Sequence, residues 1–129
     1  MLLNKNQILA SQDRPFVDVE VPEWGGTVRV MAMSGTARDA WETSMFGTDG
    51  KYKAADNTRA RLVMRCIVDE TGALLFTSEA EVLALGSKSA TALDRVFSAS
   101  QKLNGLTGES VEEAVGNSNG DQPADSTSV

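Results

Sequence analysis

The sharpest periodicity in the chain lies near its N-terminus. In Phe16-Val17-Asp18-Val19-Glu20-Val21 the valines fall on one face and Asp18 and Glu20 on the other, the two-residue period of a half-buried strand. Alternation resumes in Thr27-Val28-Arg29-Val30-Met31-Ala32-Met33, with Val28, Val30 and Ala32 in phase. Between the two runs, Pro22-Glu23-Trp24-Gly25-Gly26 supplies turn chemistry, its glycines free to take positive φ. The pattern predicts a β-hairpin. A two-stranded hairpin is marginal alone in water, so this one must lie on helices or on another subunit.

On either side of the hairpin the signals are helical. Asn4 and Gln7 are spaced as a capping box and predict a short helix over 5–11. Arg14-Pro15 stops it, because proline disfavours helical geometry in the residue before it. Downstream, Thr36 is placed to cap a helix running to about 46, with Asp39 in its first turn. Ala37, Ala40, Trp41, Ser44 and Met45 line one face of it. Gly47-Thr48-Asp49-Gly50-Lys51 reads as an exposed loop. A third helix is predicted over 56–68, burying Leu62, Val63, Cys66 and Ile67 and turning Arg61 and Arg65 outward. Asp69-Glu70-Thr71-Gly72 reads as a turn, and Ala73-Leu74-Leu75-Phe76 fits either strand or loop. Ser78 and Glu81 form a capping box for a short helix ending at Gly86. Ser87 is placed to cap the longest helix, over 88–104, with Leu93, Val96, Phe97, Ser100 and Leu103 on its apolar stripe and Gly105 at C′.

Thr107 then opens a last short helix, whose Glu109, Glu112 and Glu113 favour the positive end of its dipole. From 116 to 129 the composition shifts to Gly, Asn, Ser, Asp, Gln, Pro, Ala and Thr, with one valine at the end. Such a segment has too little apolar surface to offset the ordering of its backbone, and a disordered polar tail is expected. The expected fold is mainly α within the α+β class: an N-terminal hairpin packed on a small bundle of four to five helices. One domain spans 1–115 and the tail 116–129.

Composition narrows what such a domain can do. Its 129 residues suffice for one hydrophobic core, and with 41% apolar but only 5% aromatic residues that core must be mostly aliphatic. Eighteen acidic against twelve basic residues leave a net charge of −6, which repels a phosphate backbone and makes nucleic acid a poor main partner. Histidine is absent, which removes the commonest general base and metal ligand. The single cysteine, Cys66, excludes a disulfide within the chain and any Cys-rich zinc site. Met1-Leu2-Leu3-Asn4-Lys5-Asn6 lacks the apolar stretch of a signal peptide, and no apolar run approaches the ~20 residues of a membrane helix. A cytoplasmic protein is expected, with no membrane partner.

The residues give no sign of catalysis. No histidine is present to activate a serine, and Gly25-Gly26 precedes a strand-like run where a phosphate loop needs a helix. Asp13, Asp18, Glu20 and Glu23 read as a solvated strand face rather than a metal site, and Cys66 as a buried structural thiol. No enzyme, metal or cofactor is expected. Arg59, Arg61, Arg65, Lys51 and Lys53 form the one basic concentration. It is either a solvated helix face, with Arg65 paired to Asp69 at i+4, or a docking patch for an acidic neighbour. Trp24 either folds back on the core or stands out as an interface anchor.

Read whole, the order of segments carries a resemblance. It runs from Met1-Leu2-Leu3-Asn4-Lys5-Asn6-Gln7-Ile8-Leu9-Ala10 through the hairpin Val19-Glu20-Val21-Pro22-Glu23-Trp24-Gly25-Gly26-Thr27-Val28-Arg29-Val30 to Ser34-Gly35-Thr36-Ala37-Arg38-Asp39. It continues in Arg59-Ala60-Arg61-Leu62-Val63, Cys66-Ile67-Val68-Asp69, Leu85-Gly86-Ser87-Lys88-Ser89, Leu93-Asp94-Arg95-Val96-Phe97 and Leu103-Asn104-Gly105-Leu106. Over residues 1–115 the chain resembles the tail assembly chaperones of long, flexible-tailed bacteriophages and their prophages. The resemblance implies a non-enzymatic protein of the host cytoplasm, absent from the finished virion, that coats the tape-measure protein while tail-tube subunits assemble around it. It also implies a second, longer form made by a −1 ribosomal frameshift, whose extension recruits the tube protein.

Coating a long partner calls for self-association, which gains avidity because each copy meets both its neighbour and the template. The hairpin edges offer one means, and its acidic face meeting the 59–65 surface of another copy offers a second. Rings or spirals are expected, with Trp24, Arg29, Arg61 and Arg65 at the contacts. The competing class is a small structural tail or head-completion protein; a third is an adaptor that regulates a host enzyme.

Overall fold

A computed structural model of the chain describes residues 1–46, 49, 51 and 56–106. Along them run α1 (Lys5–Ala10), β1 (Phe16–Val21), a 3-10 turn (Pro22–Trp24), β2 (Gly26–Met31), α2 (Gly35–Met45), α3 (Thr58–Val63), β3 (Ile67–Val68), α4 (Glu79–Gly86) and α5 (Ala90–Leu103). The chain is α+β, with the hairpin packed on helices. The helix expected from Thr107, the polar tail of 116–129, most of the predicted 47–51 loop and Lys53 lie outside the described residues.

β1 and β2 pair antiparallel in the register the valines demand, Val17 opposite Val30 and Val19 opposite Val28. Gly25 alone of the two turn glycines takes positive φ, and its N–H donates to the Pro22 carbonyl at 3.0 Å. The longest helix, α5, lies across β1, β2 and the turn. Val21 and Val30 from the hairpin and Ala92, Leu93 and Val96 from α5 are buried between them. α3 also packs on α5 and in turn carries α2 and α4. The second face of the sheet, with Phe16, Asp18, Glu20 and Thr27, is open to solvent, as one-sided antiparallel sheets commonly are.

One expected helix ends early. The pattern over 56–68 predicts a continuous helix, but α3 stops at Val63 and Ile67-Val68 form a third strand in the order β1-β2-β3. Met31 N–H donates to the Cys66 carbonyl at 2.8 Å, and Arg29 and Val30 stand opposite Val68 and Ile67. The backbone groups on the far side of β2 need partners, and two β-branched residues lose little by leaving a helix to supply them. Ala73-Leu74-Leu75-Phe76 resolves accordingly: Leu74 bridges to Val68, and Leu75 N–H donates to Ile67 O at 3.1 Å.

Two caps move by two residues. Ser34, not Thr36, caps α2 by accepting from Ala37 N–H, and Ser89, not Ser87, caps α5 by accepting from Ala92 N–H. Ser87 instead closes α4. Both capping boxes form as spaced: Asn4 with Gln7, and Ser78 with Glu81. Beyond α5, Gly105 takes the left-handed C′ conformation at φ +69°. Asn104 fastens this end to the sheet, its Oδ1 accepting from Met33 N–H at 2.8 Å and its Nδ2 donating to Ser100 O at 2.8 Å.

At Gly86, the last residue of α4, an added Cβ would lie 2.2 Å from Asn57 Oδ1 and 3.0 Å from its Cγ. Asn57 itself sits at φ +57°, so it has little freedom to yield. Gly86→Ala is expected to destabilise the protein by about 1–3 kcal/mol through overpacking, and the added change Asn57→Gly to restore most of it. Gly35 begins α2 in open space, and there Ala should stabilise by about 0.4–1 kcal/mol. Urea titration of the variants checks both signs.

Candidate functional site

The charges that the sequence offers for an interface are mostly used at home. Arg29 grips Asp18 in a two-point contact at 2.8 and 3.1 Å and lies 4.1 Å over the Phe16 ring. Arg95 of α5 does the same to Glu23, at 2.9 and 3.0 Å, and so ties the hairpin tip to the helix that covers it. Arg59 pairs with Asp94, and Arg61 with Glu79 at 2.9 Å while its Nε donates to Asp56 O. The expected meeting of an acidic hairpin with the 59–65 surface of another copy therefore loses most of its charges to partners within the chain.

The residues named from sequence as contacts do not form one patch. Trp24 resolves to the folded-back reading: it packs against the core with its indole N–H buried, and among the described residues that N–H meets no acceptor. It cannot serve as a protruding anchor. Arg29 sits on the open sheet face, and Arg61 joins α3 to the start of α4. Arg65 follows the end of α3, which removes its i+4 pairing with Asp69. The Asp69 carboxylate instead closes its own turn, accepting from Thr71 N–H, Thr71 Oγ1 and Ala73 N–H at 2.8, 2.6 and 3.1 Å. Cys66 is buried as expected.

What the chain leaves uncovered is apolar. Every residue from 1 to 13 is exposed, among them Leu2, Leu3, Ile8 and Leu9, although α1 is a formed and capped helix. This arm leads into β1, which is one margin of the sheet. Ala32 N–H turns to Pro15 and Met31 N–H to Cys66, so alternate residues of β2 bond to opposite neighbours. By the register, the backbone groups of Phe16, Asp18 and Glu20 point outward from the free edge. A second apolar surface is the outer side of α4, where Ala80, Leu83 and Ala84 are exposed. The signals for both were in the sequence: four large apolar residues in a segment too short to form a core, and a helix whose run Val82-Leu83-Ala84-Leu85 cannot turn to one side.

Among the described residues, no cluster of acidic and cysteine side chains is fit to hold a metal ion, and no helix is long and apolar enough to cross a membrane. Comparison with known proteins finds no family model, no curated sequence and no solved structure that the chain matches.

Two measurable consequences follow from these contacts. Burial pushes the Cys66 thiol above its ordinary range, and the neighbouring Ser100 and Asn104 side chains only partly offset it. In the folded protein it should react with a thiol reagent at least about a thousandfold more slowly than in denaturant, since reaction must await opening. The second consequence concerns pH. Hydrogen bonds from Arg29 to Asp18, from Arg95 to Glu23, from Thr71 to Asp69, and from the Thr77 and Ser78 N–H groups to Glu81 hold these carboxyls below their usual range. Their stabilisation is complete above the unfolded values, near about pH 4. It is lost as pH falls through the lowered folded values. Tm should stay level from neutral pH to about 5 and then fall. Glu81→Gln keeps the capping geometry but removes one titration, and should flatten the fall.

Proposed function

We propose that this chain is a tail assembly chaperone of a long-tailed bacteriophage or prophage. It associates with copies of itself and with the tape-measure protein in the host cytoplasm while tail-tube subunits gather, and it leaves before the virion is complete. It is not an enzyme and uses no cofactor. A longer, frameshifted form carries the contact to the tube protein.

The resemblance over residues 1–115 is what supports the phage context. The observation that supports assembly is the uncovered N-terminal arm, a segment that presents Leu2, Leu3, Ile8 and Leu9 to solvent beside a sheet edge that no strand among the described residues pairs with. Side chains of this size in water are a standing drive toward association, since burying each contributes about 1.5–3 kcal/mol. An unpaired edge adds backbone groups that a second chain can satisfy.

Light scattering across a concentration series, with and without a tape-measure fragment, tests the proposal. Oligomers are expected to grow with concentration and to gather on the fragment. A strict monomer under both conditions rejects it. Purified particles decide against the alternative, a small structural tail or head-completion protein, if the chain is absent from them. A tape-measure gene directly downstream, with an overlapping −1 frame, is the expected gene neighbourhood.

A further inference from the structure

The N-terminal arm and the outer side of α4 are both apolar and both bare. We infer that they cover each other between copies, the 2–9 segment of one chain seating along Ala80, Leu83 and Ala84 of the next. The inference rests on the assembly reading above and gives that reading its contact.

The arm has the character of a docking element. A helix of six residues is not stable by itself in water, and α1 buries none of its residues in its own chain. Its end contacts hold it: Asn4 Oδ1 accepts from Gln7 N–H at 2.8 Å, and Gln7 Oε1 accepts from Asn4 N–H at 2.9 Å. Leu3 and Ile8 stand at the N′ and N4 positions of a hydrophobic staple. A segment already shaped loses little freedom on binding. Meanwhile Leu2 and Leu9 remain 97% and 76% exposed.

The acceptor is marked by its own pattern. Val82 and Leu85 turn inward from α4, while Ala80, Leu83 and Ala84 recur at helical spacing on the outside, with Leu83 67% exposed. Within the described residues α4 packs on α3, and its outer Ala80, Leu83 and Ala84 stay exposed. Lengths agree, since α1 spans about 9 Å and α4 about 12 Å at the rise of a helix. Charge agrees as well. Residues 1–12 carry Lys5 and no carboxylate, whereas α4 opens with Glu79 and Glu81 in a chain of net charge −6. Glu79 keeps 74% of its side chain exposed while it pairs with Arg61.

Because the arm is exposed throughout, it does not lie on the α4 of its own chain. Donor and acceptor are different surfaces of one molecule, so copies that do not exchange arms reciprocally join head to tail. Each copy gives an arm on one side and receives one on the other, and repetition makes a spiral, or a ring if the rotation closes. A single apolar contact of this kind extends along a partner of any length.

Complementary variants of the full chain test this. One carries Leu3→Glu, Ile8→Glu and Leu9→Glu; the other carries Leu83→Glu. All four positions are exposed, so unchanged melting confirms that both variants fold. By light scattering the unmodified chain should grow with concentration, and each variant alone should stay at the 13.7 kDa of a single chain. Mixed in equal amounts, they should form a species of twice that mass and nothing larger, because only one arm and one acceptor remain functional. If the unmodified chain assembles and Leu83→Glu assembles equally well, the inference is overturned while the assembly reading stands. A mixture that stays monomeric although both variants are folded overturns it too. An unmodified chain that is monomeric throughout, with or without a tape-measure fragment, removes the assembly reading and the inference with it.

Discussion

A two-stranded hairpin cannot keep its apolar face bare in water, and in this chain the cover is α5. Nearly every other feature follows from that one packing. Val21 and Val30 are fully buried in the same core cluster as Ala92, Leu93 and Val96 of α5. The Glu23–Arg95 pair fixes the hairpin tip to the same helix, and Asn104 fixes the exit of β2 to its C-terminal end. α5 also carries α3, and through α3 it carries α2 and α4. The buried Ser100 hydroxyl fits this plan without cost, since it donates to the Val96 carbonyl at 2.8 Å.

The electrostatics are arranged inward in the same sense. Asp18, Glu23, Glu79 and Asp94 each meet an arginine of their own chain. Such exposed pairs contribute modestly to stability. Among the described residues, five of the nine exposed large apolar side chains lie in the arm, and Leu83 lies on α4. Under the proposed function, a protein that gathers on a long template and later leaves it would gain from contacts of this sort. Each is small enough to break, and repetition along the template supplies the strength.

The hairpin and most helices were legible in the sequence because local chemistry decides them. Period-two valines fix the strands and their register, and Asn4 with Gln7 and Ser78 with Glu81 fix two helix starts. Gly105 marks the end of α5 because only a residue at ease with φ of +69° closes a helix in that way. Where local signals competed, the tertiary structure chose. Ser34 and Thr36, like Ser87 and Ser89, are equally able to cap, and the selection came from where the helix could begin without leaving the core.

By itself, then, the sequence determined the α+β class, the hairpin and its buried face, the burial of Cys66, and the lack of a histidine-based site. Each follows from residue type or from a period that neighbours cannot alter. Only the tertiary structure decided that Ile67-Val68 leave a helical pattern to become β3, because the unpaired side of β2 lies far away in sequence and its need for partners cannot be read locally. The same holds for the partners of the arginines. Arg29 finds Asp18 eleven positions away and Arg95 finds Glu23 across seventy-two, so their apparent freedom along the chain vanished on folding. The arm and α4 are the converse: their apolar residues are plain in the sequence, but that nothing within the described chain covers them is a fact of the packed structure alone.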